Sequence, residues 1–89
     1  MDYNREVIER AHINSSLHQA EILKSHICGC FYCLRTSKPD EILDWVDTDN
    51  SKGATALCPH CGIDSLIGSA SGFPVDNKDF LKAMNNFWF

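Results

Sequence analysis

Cysteine is the residue type through which this sequence could do chemistry. Cys28, Cys30 and Cys33 fall within "CGCFYC", and Cys58 and Cys61 within "LCPHCGID". Thiolates are good ligands for a tetrahedral zinc ion, and a Cys-x-x-Cys turn places two of them on one edge with backbone N–H groups free to bond the sulfurs. Cys30-Phe-Tyr-Cys33 is one such turn, and Cys58-Pro-His-Cys61-Gly is another, with the Pro and Gly that a tight knuckle uses. The two pairs predict a single structural Zn²⁺ held by Cys30, Cys33, Cys58 and Cys61, with iron or an iron-sulfur cluster as the other occupants that four cysteines accept. Cys28 is then a spare thiol, read as a small buried hydrophobe. A rival set exchanges Cys33 for Cys28, making Cys28-Gly-Cys30 the first pair.

Catalysis at such a metal is not expected, because hydrolytic zinc keeps one coordination position open for water and four cysteines close the sphere. The four histidines, His12, His18, His26 and His60, form neither a His-Glu-x-x-His nor a His-x-Glu pattern. His60 lies inside the second knuckle and reads as a solvent-facing filler. "GSASG" lacks the lysine of a phosphate loop, and Asp64 and Ser65 lack the nucleophile-elbow pattern, so turn and capping roles fit them better. The chain is expected not to be an enzyme.

The elements around the cysteines can be read from periodicity and caps. Residues 1–27 read as two helices, with Val7, Ile8 and Ala11 on the apolar face of the first and Ala20, Leu23 and Ile27 on that of the second. Ser16 and Gln19 have the spacing of a capping box for the second. Residues 28–63 form the metal-binding core. Within it, Ser37 or Lys38 as cap, Pro39, Asp40 and Glu41 predict a short third helix with Ile42, Trp45 and Val46 on its apolar face. "DTDNSKG" then turns the chain, "ATALC" runs as a strand into the second knuckle, and "IDSLIGSASGFPVDN" is a short extended piece and a loop. The stretch 75–88 predicts an amphipathic helix capped by Asp76, with Val75 stapled to Phe80 and a stripe of Phe80, Leu81, Met84, Phe87 and Trp88. The expected fold is a single small α+β domain over 1–89, mostly a helical shell around a zinc-ribbon-like four-cysteine centre with short strands.

Composition limits the partners. A chain of 89 residues buries a low fraction of its surface and needs a staple. Its charged N-terminus and lack of a signal-length or membrane-length apolar run give the expectation of a cytoplasmic protein with no membrane association. Thiols there stay reduced, which favours a metal over disulfides. Twelve acidic residues against eight basic ones, with the basic ones scattered, argue against nucleic acid.

"CGCFYC", "TALCPHCGIDSLIGSASGFP" and "NNFWF" together resemble a family of small bacterial cytosolic proteins with a zinc-ribbon-like centre and no established activity. The resemblance implies metal binding by Cys30, Cys33, Cys58 and Cys61 and transfers no catalytic residue. The rival cysteine spacing, with Cys28, is similar to the zinc centre of the redox-regulated bacterial heat-shock chaperone, and implies a redox-responsive zinc protein. The expected function is a zinc-stabilised protein-binding module, in one form an immunity protein that blocks a toxin or another basic-surfaced protein. Its candidate contacts are the carboxylates Asp40, Glu41, Asp44, Asp47 and Asp49 and the aromatic Trp88 and Phe89. A nucleic-acid-binding zinc ribbon using Phe31, Tyr32, Arg35 and Lys38 is the competing expectation.

Overall fold

The computed structural model describes residues 3–89; the first two positions of the expected N-terminal helical segment lie outside the described residues. At its centre is a three-stranded antiparallel sheet. The strand β1 (Cys28–Cys30) lies between β2 (Thr36–Ser37) and β5 (Leu66–Gly68). Cys28 faces Ser37 on one side and Gly68 on the other, and Cys30 faces Leu66.

Successive side chains of a strand point to opposite faces, and this sheet uses both. Cys28, Cys30 and Leu66 join Ile22, Ala56 and Cys58 in one apolar cluster. Ile67, the residue after Leu66, joins Ile8, Ala11, Phe31, Val75, Phe80, Leu81 and Met84 in the other. Gly29, opposite Ile67, has no room for a side chain: a Cβ there would run into the Val75 carbonyl and press on Leu81. The sheet is therefore a wall between two cores, and the glycine in "CGC" is the point where the second core's backbone touches it.

Three helices cover the wall. α1 (Arg5–Ile13) starts where the Asn4 side chain accepts the Val7 N–H at 2.9 Å, and it buries Ile8 and Ala11 against α3 (Lys78–Trp88). α2 (Gln19–Lys24) lies over the other face and buries Ile22. In α3 the stripe holds for Phe80, Leu81 and Met84, which are fully buried, and Val75 shares their cluster as the staple requires. Phe87 and Phe89 are exposed and Trp88 is half-buried.

The shell is less helical than expected, with 37% of the described residues helical and 14% in strands. The third helix is reduced to one 3₁₀ turn at Pro39–Glu41, and Trp45–Val46 instead forms β3, paired antiparallel with β4 (Thr55–Ala56). Trp and Val favour strands, and the backbone bonds of a hairpin satisfy this segment better than a short exposed helix. On α2 the buried residue is Ile22, whereas Ala20 and Leu23 face solvent. The expected capping box is also absent. Leu17 takes a left-handed conformation (φ 49°), Ser16 is exposed, and the Gln19 amide oxygen accepts from Ala54 N–H of the loop before β4 at 3.4 Å. The cap of α3 is Asn77 rather than Asp76, its side chain accepting from Asp79 N–H at 2.8 Å and from Phe80 N–H at 3.3 Å.

His18 joins α2 to the hairpin. Buried at 5% exposure, it bonds the Asn14 carbonyl through Nδ1 at 2.7 Å, and its Nε2 accepts the Ala56 N–H at 3.0 Å. The two partners require a neutral ring with its proton on Nδ1.

Candidate metal centre

The two Cys-x-x-Cys segments fold into the same turn twice. In the first, Leu34 N–H donates to the Cys30 carbonyl at 2.9 Å and Cys30 N–H to the Arg35 carbonyl at 3.0 Å. In the second, Gly62 N–H donates to the Cys58 carbonyl at 2.8 Å and Cys58 N–H to the Ile63 carbonyl at 3.0 Å. The residue after each second cysteine is left-handed, at φ 64° for Leu34 and φ 77° for Gly62. Within each turn, main-chain N–H groups point at the leading sulfur. Tyr32 and Cys33 donate to Cys30 Sγ at 3.4 and 3.5 Å, and His60 donates to Cys58 Sγ at 3.4 Å.

The loops meet sulfur to sulfur. The Sγ atoms of Cys30, Cys33, Cys58 and Cys61 all lie within 4.8 Å of one another, and the cross-turn pairs Cys30–Cys61 and Cys33–Cys58 are both at 3.7 Å. A tetrahedral ion with bonds of about 2.3 Å to sulfur spaces its ligands by about 3.8 Å along each edge. These four cysteines are thus positioned to hold one metal ion such as zinc.

The thiols differ in a way that suits a shared cation. Burial pushes the Cys30 thiol up, but hydrogen bonds from the Ser65 hydroxyl (3.0 Å) and from the Cys33 and Tyr32 N–H groups outweigh burial and bring it below its ordinary value. Burial, with the Cys30 charge adding to it, pushes Cys58 and Cys61 up. The Cys30 thiolate is favoured, and those of Cys58 and Cys61 are opposed unless a cation offsets their charge.

Cys28 lies outside this group. It is fully buried against the sheet's apolar cluster, and burial alone pushes its thiol up to about 11. The four grouped thiols are the two Cys-x-x-Cys pairs, so the rival set that exchanges Cys33 for Cys28 is not the one assembled.

No protein-family model, curated protein or solved structure matches the chain.

Two further residues belong to the centre. Ser65 is buried and bonds Cys30 Sγ, while the Phe31 N–H donates to its carbonyl at 3.1 Å, so it ties the first turn to β5. Its position, four residues after Cys61, carries no sequence signal. His60 is exposed and its Nε2 lies 3.1 Å from the Thr36 carbonyl, which latches the second turn onto β2. It is more than a filler, yet it is not among the grouped ligands.

The candidate partner contacts lie apart from the metal group. Asp40 and Glu41 sit in the 3₁₀ turn and Asp44, Asp47 and Asp49 around the β3–β4 hairpin, all exposed. Two have structural partners: Glu41 accepts the Lys38 N–H at 2.8 Å and Asp47 accepts the Thr55 hydroxyl at 2.9 Å. Trp88 stacks on His12 with ring centroids 4.0 Å apart, and Phe89, 59% exposed, packs on Phe31 and Tyr32 at 5.8 and 4.8 Å. Among the described residues, no helix is long and apolar enough to cross a membrane.

Proposed function

We propose that this chain is a non-catalytic protein-binding module whose four cysteines hold one structural Zn²⁺. The observation that carries the metal is the pair of matching turns whose sulfurs meet at tetrahedral spacing. With zinc bound, Cys30, Cys33, Cys58 and Cys61 fill its coordination sphere and leave no position for a substrate or a nucleophilic water. The ion's chemistry is then to offset thiolate charge and to lock residues 30–35 against 58–63.

Net acidity supports a protein partner with a basic surface. The formal charge is −4, and four thiolates around one zinc ion make it more negative. Such a surface accelerates encounter with a basic cleft and covers it, as an immunity or antitoxin protein of the bacterial cytosol would. The resemblance to small bacterial zinc-ribbon-like proteins supports that setting.

One observation favours the nucleic-acid alternative. A cleft of about 400 Å³ beside the second turn is lined by Arg35, Lys78 and His60 together with Leu34, Leu81 and Asp76. Two cations and a histidine are a small footprint for a polyanion, and the rest of the surface opposes it.

The test is a native mass spectrum of the protein purified gently from its own host cell, beside a nuclease-treated sample. The expected result is a mass one zinc heavier than the reduced chain, with a second protein that survives nuclease. One zinc with co-purifying RNA or DNA and no protein would replace this reading with the nucleic-acid one.

A further inference from the structure

The C-terminal aromatics line a cavity of about 390 Å³ between the end of α3 and α1. Its walls include His12, Phe31, Trp88 and Phe89, and Asp64 and Ser65 also line it. The rings are contiguous: His12 lies 4.0 Å from Trp88 and 6.0 Å from Phe31, and Phe31 lies 5.8 Å from Phe89, centroid to centroid. Asp64 is exposed and, among the described residues, makes no ion pair. No lysine or arginine lines the cavity, in contrast to the Arg35 and Lys78 cleft.

Aromatic faces carry negative potential, and a cation set among several of them beside a carboxylate is held by both. The volume falls within the range of clefts that take one small ligand group. We propose that this cavity receives a cationic side chain, an arginine or a lysine, of the partner protein. The proposal rests on the protein-binding reading and gives it a contact. Asp64 meets the charge, Phe89 and Trp88 stack on the stem or the guanidinium plane, and the net negative charge of the chain draws a basic partner in. Phe89 is exposed because it forms a wall of the cavity.

The zinc-loaded full chain, labelled with ¹⁵N, is titrated with Nα-acetyl-arginine methylamide and with its neutral isostere Nα-acetyl-citrulline methylamide. The readout is the indole N–H of Trp88, which is buried without an acceptor and is separable from that of Trp45 by a Trp45→Phe chain. Expected are saturable shifts with the arginine compound and none with the citrulline compound, weakened about tenfold by Asp64→Asn and similarly by Phe89→Leu. Both altered residues are exposed, so the fold survives their replacement. Equal shifts from the two compounds, or none from either at millimolar concentration, would overturn the proposal. A protein complex that leaves the Trp88 indole unmoved would also overturn it while upholding the binding-module reading. Arginine-specific shifts in a chain that captures no protein would uphold the cavity and remove the module.

Discussion

Serine in place of Cys33 or Cys58 removes one corner of the tetrahedron and leaves three thiols that repel as thiolates. Both variants are expected to lose zinc and to unfold, read by zinc stoichiometry and far-ultraviolet circular dichroism. Cys28→Ser is expected to keep one zinc and to lose about 1–2 kcal/mol in urea unfolding, the cost of a hydroxyl without a partner in an apolar cluster. Loss of metal from Cys28→Ser with retention by Cys33→Ser would reverse the ligand assignment. His18 gives a prediction in pH. Burial holds its ring below the ordinary 6.5, with the bond to the Asn14 carbonyl pulling the other way. As pH falls through 6.5 the unfolded chain takes up the proton first, so the stability His18 contributes is complete above that value and declines in acid. Nuclear magnetic resonance should show this ring titrating below 6.5, and a His18→Gln chain should show a shallower fall in stability between roughly pH 6.5 and 5 at saturating zinc. The grouping of the four cysteines was legible from spacing because each pair is local. Ser65 and His18 were not, since their partners Cys30 and Ala56 lie 35 and 38 residues away.

Elements explain where periodicity succeeded and where it did not. α3 was legible because Phe80, Leu81 and Met84 bury on one face of one helix, a property of the segment itself. The segment after Pro39 was misread because Ile42, Trp45 and Val46 have a spacing that fits a helix, whereas the feature that decides its structure is pairing with Thr55 and Ala56 beyond a turn. A window along the chain does not contain the partner strand. Caps can be tested directly. Asn77→Ala should cost about 1 kcal/mol in thermal or urea unfolding and Asp76→Ala distinctly less, and the reverse order would return the cap to Asp76. The knuckles supply a second comparison. Gly62 is left-handed with open space where a Cβ would sit, so Gly62→Ala should cost about 1–2 kcal/mol of backbone strain alone, without loss of zinc stoichiometry. Leu34 bears the same conformation with a side chain because that side chain packs against the α1–α3 core.

The whole molecule is small for two cores, and an ion held by the four cysteines would join its two Cys-x-x-Cys turns. Zinc binding in small domains is worth on the order of 10 kcal/mol, comparable to the entire stability of a domain this size. A strong chelator is therefore expected to abolish the cooperative unfolding transition and most of the secondary structure, and added zinc to restore both. A chain that keeps a sharp transition after quantitative zinc removal would show that the two apolar clusters suffice. The α+β class could be read from helical periodicity beside short extended runs, but the arrangement of a sheet with cores on both sides could not. It depends on Gly29 against Val75 and on Leu66 and Ile67 facing opposite ways, relations that appear only once distant segments meet.

That wall has a dynamic consequence. Because β1 borders both cores at once, neither side can open without disturbing the strand they share, so amide protons on the two faces should be released from protection together. Hydrogen–deuterium exchange of Cys28, Ile67 and Met84 should report one common opening free energy, equal to that of global unfolding. The turn between β3 and β4, exposed from Asp47 to Lys52, should exchange earlier, whereas Ala56 belongs to the apolar cluster of Ile22 and opens with it. In such a molecule the acidic turn ahead of β4 can flex to meet a partner while β4, the sheet, its two cores and the four sulfurs behave as one cooperative unit.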